Sequence, residues 1–281
     1  VTIETDDYAY GARATLVGAS CASVSPAYAS SLVSLRGLDI EGCLTVQNGR
    51  LDFNEVNLAS RGSGDAVRVN GGTFSSTDST IRARGTAINA VRGVMVSLTG
   101  GGFASAARAE QVISLNTDGA NVQNTLIKGG IVGVRVGMQG RYPVSFRGVQ
   151  VTRGDVSEIY QVGPGQAGIV VGGGTPGDDL PSLPNMPGGT AFSIEGGVIA
   201  GYGDALVFAQ GTRASAKGVN IAYPGRGIVV APGAAVDLRE NRITHSKRVG
   251  IDLAAGAVGS ASFNDIQCDQ GPCVCYGGEC T

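Results

Sequence analysis

The chain has 281 residues, a formal net charge of -2 and only 16% charged side chains. That balance excludes disorder driven by self-repulsion and leaves no basic surplus for a nucleic-acid partner. Forty-six glycines without a G-X-Y period exclude collagen. They also weigh against helices, because an interior glycine costs a helix about 1 kcal/mol.

In chain order, two apolar residues flanking one variable residue recur about every 22 residues. The pairs are Leu44/Val46, Val67/Val69, Ile88/Ala90, Ile113/Leu115, Val134/Val136, Ile169/Val171, Leu206/Phe208, Ile228/Val230 and Ile251/Leu253. A glycine follows each pair, at Gly49, Gly72, Gly93, Gly174, Gly211, Gly233 and Gly256, and one residue later at Gly119 and Gly140. A second apolar ladder keeps step: Ile40, Leu58, Ile81, Phe103, Ile127, Val151, Ile199, Ile221, Ile243 and Ile266. Between the ladders lies another alternating pair, clearest at Leu51/Phe53, Val144/Phe146 and Val236/Leu238.

Alternation of period two marks a strand with one buried face. Three such strands per repeat make one triangular coil, and coils stack about 4.8 Å apart. Roughly a dozen coils would form a rod near 55 Å long on that spacing. The glycines are expected at bends that need positive φ, where a Cβ is strained. A leucine-rich repeat has a similar period but needs a helical return and an Asn ladder; here the return alternates like a strand. The expected fold is all-β, a single-stranded right-handed parallel β-helix solenoid. The pattern resembles the right-handed parallel β-helix repeats of the pectin-lyase-like superfamily over nearly the whole chain. That resemblance implies the fold, and it implies activities such as polysaccharide lyase, hydrolase, esterase or epimerase. Because one fold hosts many functions, activity has to be argued from the site.

Residues 1–266 are assigned to the β-helix and 267–281 to a Cys-rich C-terminal cap. Cys21 and Cys43 are one period apart, so stacking should bring them within disulfide range. Residues 152–166 lengthen one coil, and the Gly/Pro-rich segment 172–190 reads as an extruded loop. Its Leu180, Leu183 and Met186 either shield the outward valines Val170, Val207 and Val229 or belong to a loop that caps a substrate or binds a partner. The tail carries Cys268, Cys273, Cys275 and Cys280 in C-x4-C-x-C-x4-C spacing, which suits zinc or two disulfides. Disulfides are the reading adopted, their pairing left open, with the cap covering the open end of the solenoid. Oxidised cysteines imply a secreted, periplasmic or cell-surface setting. No apolar run approaches the roughly 18–20 residues of a membrane span. The start at Val1, without a basic and apolar leader, fits a removed signal peptide or a fragment of a longer protein.

The residues pointing outward from the first ladder are Thr45, Arg68, Asn89, Ser114, Arg135, Val170, Val207, Val229 and Asp252. The first half is polar and the second apolar. With the turn residues Asn70, Asn116 and Asp118, the candidate ligand-binding set becomes Arg68, Asn70, Asn89, Ser114, Asn116, Asp118 and Arg135. Such groups suit sugar hydroxyls or a uronate carboxylate, since arginine offers a bidentate fork; the alternative is an ordinary solvated face. Asn116-Thr117-Asp118-Gly119 resembles the NTD stretch of polygalacturonases, which need further acids, a histidine and an Arg-x-Lys. The following coil reads Gly130-Ile131-Val132-Gly133, and hydrolysis of a glycosidic bond needs two carboxylates. Gln111-Val112-Ile113-Ser114-Leu115 resembles the glutamine strand of pectin methylesterases, whose two catalytic aspartates have no counterpart here.

Weaker features are given structural readings. The single histidine, His245, reads as a turn residue, and Arg153-Gly154-Asp155 as a chance tripeptide. Asp178-Asp179 offers too few oxygens for calcium. Asn241 and Asn264 read as a structural amide ladder. With no tryptophan and 5% aromatics, a neutral-glycan grip is disfavoured more than an acidic one. The expected function is an extracytoplasmic scaffold, adhesive or glycan-contact module with no catalytic residue, cofactor or metal assigned. The alternative is a polysaccharide-processing enzyme (lyase, hydrolase or epimerase) acting on an acidic glycan near Arg68, Arg135 and Asp118. Polysaccharide is the expected partner. Self-association through Val170/Val207/Val229 or loop 172–190 is a further option.

Overall fold

Inward apolar residues alternating with outward polar ones wind the chain into three parallel sheets. The computed structural model describes residues 2–4, 14–18, 21–24, 32–91, 93–137, 142–154, 165–172 and 191–280. Among them, sheet A has eleven strands from Thr2–Glu4 to Val258–Ser262, and sheet B eleven from Ala14–Val17 to Asp265–Cys268. Sheet C has twelve, from Ala22–Val24 through Val274–Tyr276, with Glu279–Cys280 added antiparallel at its end. Each coil visits A, B and C in turn, so every strand pairs with its equivalents one coil away. No helix long and apolar enough to cross a membrane occurs among the described residues.

The register matches the period residue for residue. Leu44, Val67, Ile88, Ile113, Val134, Ile169, Leu206, Ile228 and Ile251 stack in one column of sheet C. Ile40 through Ile266 stack likewise in sheet B. In sheet A, Leu51, Phe74, Val96, Ala120, Val144, Phe192, Ala214 and Val236 form the inner column. Its phenylalanines meet edge to face, Phe53 with Phe74 and Phe146 with Phe192 at ring centroids 5.3 Å apart. Between the inner columns of sheet A runs an outward column of Ser34, Asp52, Ser75, Ser97, Asn121, Ser145, Ser193, Ser215, Asp237 and Ser260.

The coil count falls short of the expected dozen. Residues 155–164 and 173–190 lie outside the described residues, and both stretches leave from consecutive corners of one coil. They separate Thr152 from Ala167 and Val171 from Phe192 without adding a rung to any sheet, and pairing resumes in register at Val144↔Phe192. Eleven parallel strands in each sheet then make a rod about 48 Å long at about 4.8 Å per step. Leu180, Leu183, Met186, Asp178-Asp179 and Gly174 fall in the second of these stretches, and Gly140 lies in residues 138–141, also outside the described residues.

The bend glycines divide into two kinds. Gly49, Gly72, Gly93, Gly211, Gly233 and Gly256 have positive φ, as expected. Gly119 does not: it lies within a strand, and a Cβ there would sit 2.7 Å from Tyr142 Cβ. Close packing, not backbone handedness, requires that glycine. At the A–B corner the left-handed position is held by glycine in some coils, as at Gly37, Gly100 and Gly148, and in others by Glu55, Asp78, Asn124, Glu240 and Phe263, with φ between 47 and 56°. The residue after it faces inward and, where polar, closes hydrogen bonds between coils. Ser79 Oγ accepts from the Val56 N–H at 3.0 Å. Asn264 Oδ1 accepts from the Asn241 N–H and Nδ2, both at 3.0 Å, forming the amide ladder.

Cys21 and Cys43 are disulfide-bonded with Cα atoms 4.4 Å apart, and Cys268 and Cys273 with Cα atoms 5.6 Å apart. Cys275 is also oxidised, and Cys280 is its antiparallel backbone partner. The cap covers less than expected. Its hairpin extends only sheet C, and in the last strand of sheet A the inward positions Gly259 and Ala261, stacked on Val236 and Leu238, stay exposed. A bridge spanning five residues at Cys268–Cys273 holds the tail too short to reach across all three edges.

The Cys21–Cys43 bridge closes a 22-residue loop, so replacing both cysteines with serine should destabilise the first coils by about 3 kcal/mol. Native-state hydrogen exchange should show faster amides over residues 32–60 and unchanged ones beyond Val94. Uniform acceleration along the rod would contradict a locally acting staple.

Candidate functional site: the outer face of sheet C

Each outward side chain on sheet C stands between two buried neighbours, which fixes its height and direction. Thr45, Arg68, Asn89, Ser114, Arg135, Val170, Val207, Val229 and Asp252 form one continuous column. The inward flanking residues from Val67 to Ile228 are fully buried, so the column is held by the core rather than by surface contacts.

The candidate residues separate into three groups along it. Arg68, Asn70 and Asn89 form a network with Asp65: Asn89 Nδ2 donates to Asp65 Oδ2 at 2.8 Å, and Arg68 Nη1 lies 3.8 Å from the same oxygen. Arg68 Nε also donates to Asn70 Oδ1 at 3.4 Å, while its side chain stays 52% exposed. Higher up, Arg135 Nε donates to Gln111 Oε1 at 3.1 Å. Ser114 stands between the two groups.

Asn116 and Asp118 lie at the corner where sheet C turns into sheet A. Asn116 Oδ1 and Thr117 Oγ1 are buried atoms with no hydrogen-bond partner. Gly137 stacks directly on Asn116, and a Cβ on it would lie 2.9 Å from Asn116 Oδ1. The Asp118 backbone is fixed by bonds to neighbouring coils: its N–H donates to Val94 O at 2.9 Å and its carbonyl accepts from the Tyr142 N–H at 2.8 Å. Tyr142 is 58% exposed beside it.

Asp65, Gln111 and Tyr142 were not among the candidates read from the sequence. Asp65 and Gln111 lie three residues upstream of Arg68 and Ser114, beyond the consecutive buried pairs Ala66/Val67 and Val112/Ile113, so a strict two-residue alternation extended backwards does not reach them. Tyr142 follows Asp118 by 24 residues, one period, which is the signal that places them together.

The apolar half has its own polar margin. Arg226 holds Asp204 through two bonds of 2.8 Å, Nε to Oδ1 and Nη2 to Oδ2, and reaches Asp252 Oδ2 at 3.3 Å. The hydrogen bonds it donates to Asp204 raise the Arg226 pKa above its ordinary value, against the opposing effect of burial. This guanidinium is occupied by protein carboxylates, which leaves Val170, Val207 and Val229 as a ridge beside a self-compensated ion network. His245, read as an incidental turn residue, is fixed at the surface. Its ring stacks on Tyr223 at 4.7 Å, and its Nδ1 lies 3.2 Å from Asp269 Oδ1.

Chemically, the polar half presents guanidinium and amide donors at regular heights. Among the described residues no group of three or more His, Cys, Asp and Glu could hold a metal ion. Fold and face together define a parallel β-solenoid whose sheet C column is polar in its first half and apolar in its second. No family model, curated protein or solved structure matches this chain.

Proposed function

We propose that the protein is an extracytoplasmic β-helix scaffold of the pectin-lyase-like kind that contacts an acidic polysaccharide along sheet C. The observation that carries this reading is the registered column Thr45–Arg68–Asn89–Ser114–Arg135, with two arginines three coils apart on a rigid face. A uronate polymer repeats a carboxylate along its length, and guanidinium groups held at fixed heights suit that repetition. Asp65 and Gln111 orient the two arginines without covering them: the Arg68 side chain remains half exposed. Disulfides at both ends of the rod support an oxidising compartment.

A glycan array on the intact protein tests the reading, followed by retention on immobilised pectate or alginate. Binding should fall with rising salt, because exposed charges are screened within about 8 Å at physiological ionic strength. Replacing Arg68 and Arg135 together with alanine should reduce acidic-glycan affinity about 10- to 100-fold, equivalent to about 1.4–2.8 kcal/mol. Undiminished retention by that double variant would overturn the assignment of this face.

A further inference from the structure

The outer face of sheet A carries a second regular surface of different chemistry. Over four consecutive coils its central column is Ser75, Ser97, Asn121 and Ser145, with successive residues about 4.8 Å apart. The outward column two residues further along reads Thr77, Thr99 and Gln123 at the same levels. Every one of these side chains is short and uncharged, so the face is flat and dense in hydroxyl and amide groups. Gln123 Nε2 donates to Asn121 Oδ1 at 3.1 Å, which orients that amide pair on the surface.

An aromatic platform borders this patch. Tyr142 is 58% exposed and Met95 38%. Both pack over Gly119, whose Cβ would lie 2.7 Å from Tyr142 Cβ and 3.2 Å from Met95 Cε. The glycine therefore makes the room in which an exposed tyrosine ring lies beside the polar columns. A ring exposed to this degree offers apolar area that a ligand with an apolar face would remove from water.

We infer that this face of sheet A binds a neutral polysaccharide, extended along the solenoid axis and seated by one sugar ring on Tyr142. Pyranose rings have an apolar C–H face, which matches Tyr142 and Met95, and equatorial hydroxyls, which match the serine, threonine and amide columns. The uncharged columns distinguish this ligand from the acidic polymer assigned to sheet C. Charge flanks the patch at both ends: Asp52, one coil before Ser75, accepts from the Ser75 hydroxyl and pairs with Arg50 at 3.1 Å, and Arg147, stacked on Gln123, pairs with Glu195 at 2.8 Å. A rod with the two faces joins an acidic and a neutral polymer without either competing for the other's groups.

Affinity electrophoresis tests this in gels cast with hydroxyethylcellulose, mixed-linkage β-glucan or galactomannan, with pectate as the acidic arm. The expected result is retardation in at least one neutral gel. Tyr142→Ala and, separately, Ser97→Lys each weaken that retardation about tenfold, while their thermal midpoints match the parent and Ser97→Lys loses no pectate retention. The Arg68→Ala/Arg135→Ala double variant keeps neutral-gel retardation whatever happens to it in pectate, so failure of one face is read apart from failure of the other. Absence of retardation in all neutral gels overturns the inference. So does full retardation by either Tyr142→Ala or Ser97→Lys, or loss of neutral binding in the double arginine variant.

Discussion

Replacing Asn241 with leucine is expected to destabilise the protein by about 3–5 kcal/mol, because several buried polar groups lose partners at about 1–3 kcal/mol each. Asn241 is fully buried at the A–B corner. Its Nδ2 donates to Ala216 O at 3.0 Å, and its Oδ1 accepts from the Val219 N–H at 3.1 Å. Leucine shares the heavy-atom branching of asparagine but is bulkier, so overpacking of about 1–3 kcal/mol adds to the loss of these bonds. In a stacked repeat the damage should concentrate in neighbouring coils. Thermal unfolding should shift down by roughly ten degrees, and hydrogen exchange should accelerate most between Ala214 and Ile266. A shift within experimental scatter would show that the ladder is not an essential corner bond.

The second large effect is alkaline. Tyr202 is completely buried, and its hydroxyl donates to Gly129 O at 2.7 Å and to Thr152 O at 3.3 Å. Burial raises its pKa well above the ordinary tyrosine value, and the charge of Arg153 opposes this only in part. A folded-state pKa raised above the unfolded one means that the folded protein holds its proton longer. The stabilisation is complete below about pH 10 and is lost above it, at about 1.4 kcal/mol per pH unit. Denaturant midpoints measured from pH 8 to pH 11 should be flat and then fall. Tyr202→Phe should cost about 1–3 kcal/mol at neutral pH through the Gly129 carbonyl that loses the hydroxyl, Thr152 O keeping the Gly129 N–H, and should flatten the alkaline limb. A parent protein with no alkaline decline would remove the argument for a buried neutral phenol.

Both predictions concern corners, and corners are where sequence reading reached least far. The strand columns were legible because burial imposes a two-residue alternation. Once Leu44, Val67 and Ile88 are aligned, the register of every outward residue between them follows. Asn241 and Asn264 were readable as a ladder for the same reason. Gly119 was not readable as a packing glycine, because Tyr142 and Met95 come from the coils on either side of it. The number of coils was overestimated because two successive corners of one coil absorb residues that an even spacing would assign to strands.

The candidate site was legible only as positions. Alternation placed Arg68, Asn89, Ser114 and Arg135 in one column but said nothing about what engages them. Asp65 and Gln111 lie outside that alternation, and their bonds to the column depend on side-chain reach. Arg226 shows the opposite case: a guanidinium at the edge of the apolar half is consumed by Asp204 and Asp252. The serine column of sheet A went unnoticed because attention followed its inward partners, Leu51/Phe53 and their equivalents. Its uncharged stretch emerges only when the coils are superposed.

The assignment of sheet C as the acidic-glycan face is tested most directly by hydrogen-exchange footprinting with a bound oligogalacturonate. Protection is predicted on the strands Val67–Asn70, Ile88–Ala90, Gln111–Asn116 and Val132–Gly137, with none on Asp204–Phe208 or Arg226–Val230. Protection confined to those last two strands, or to sheet B, would contradict it.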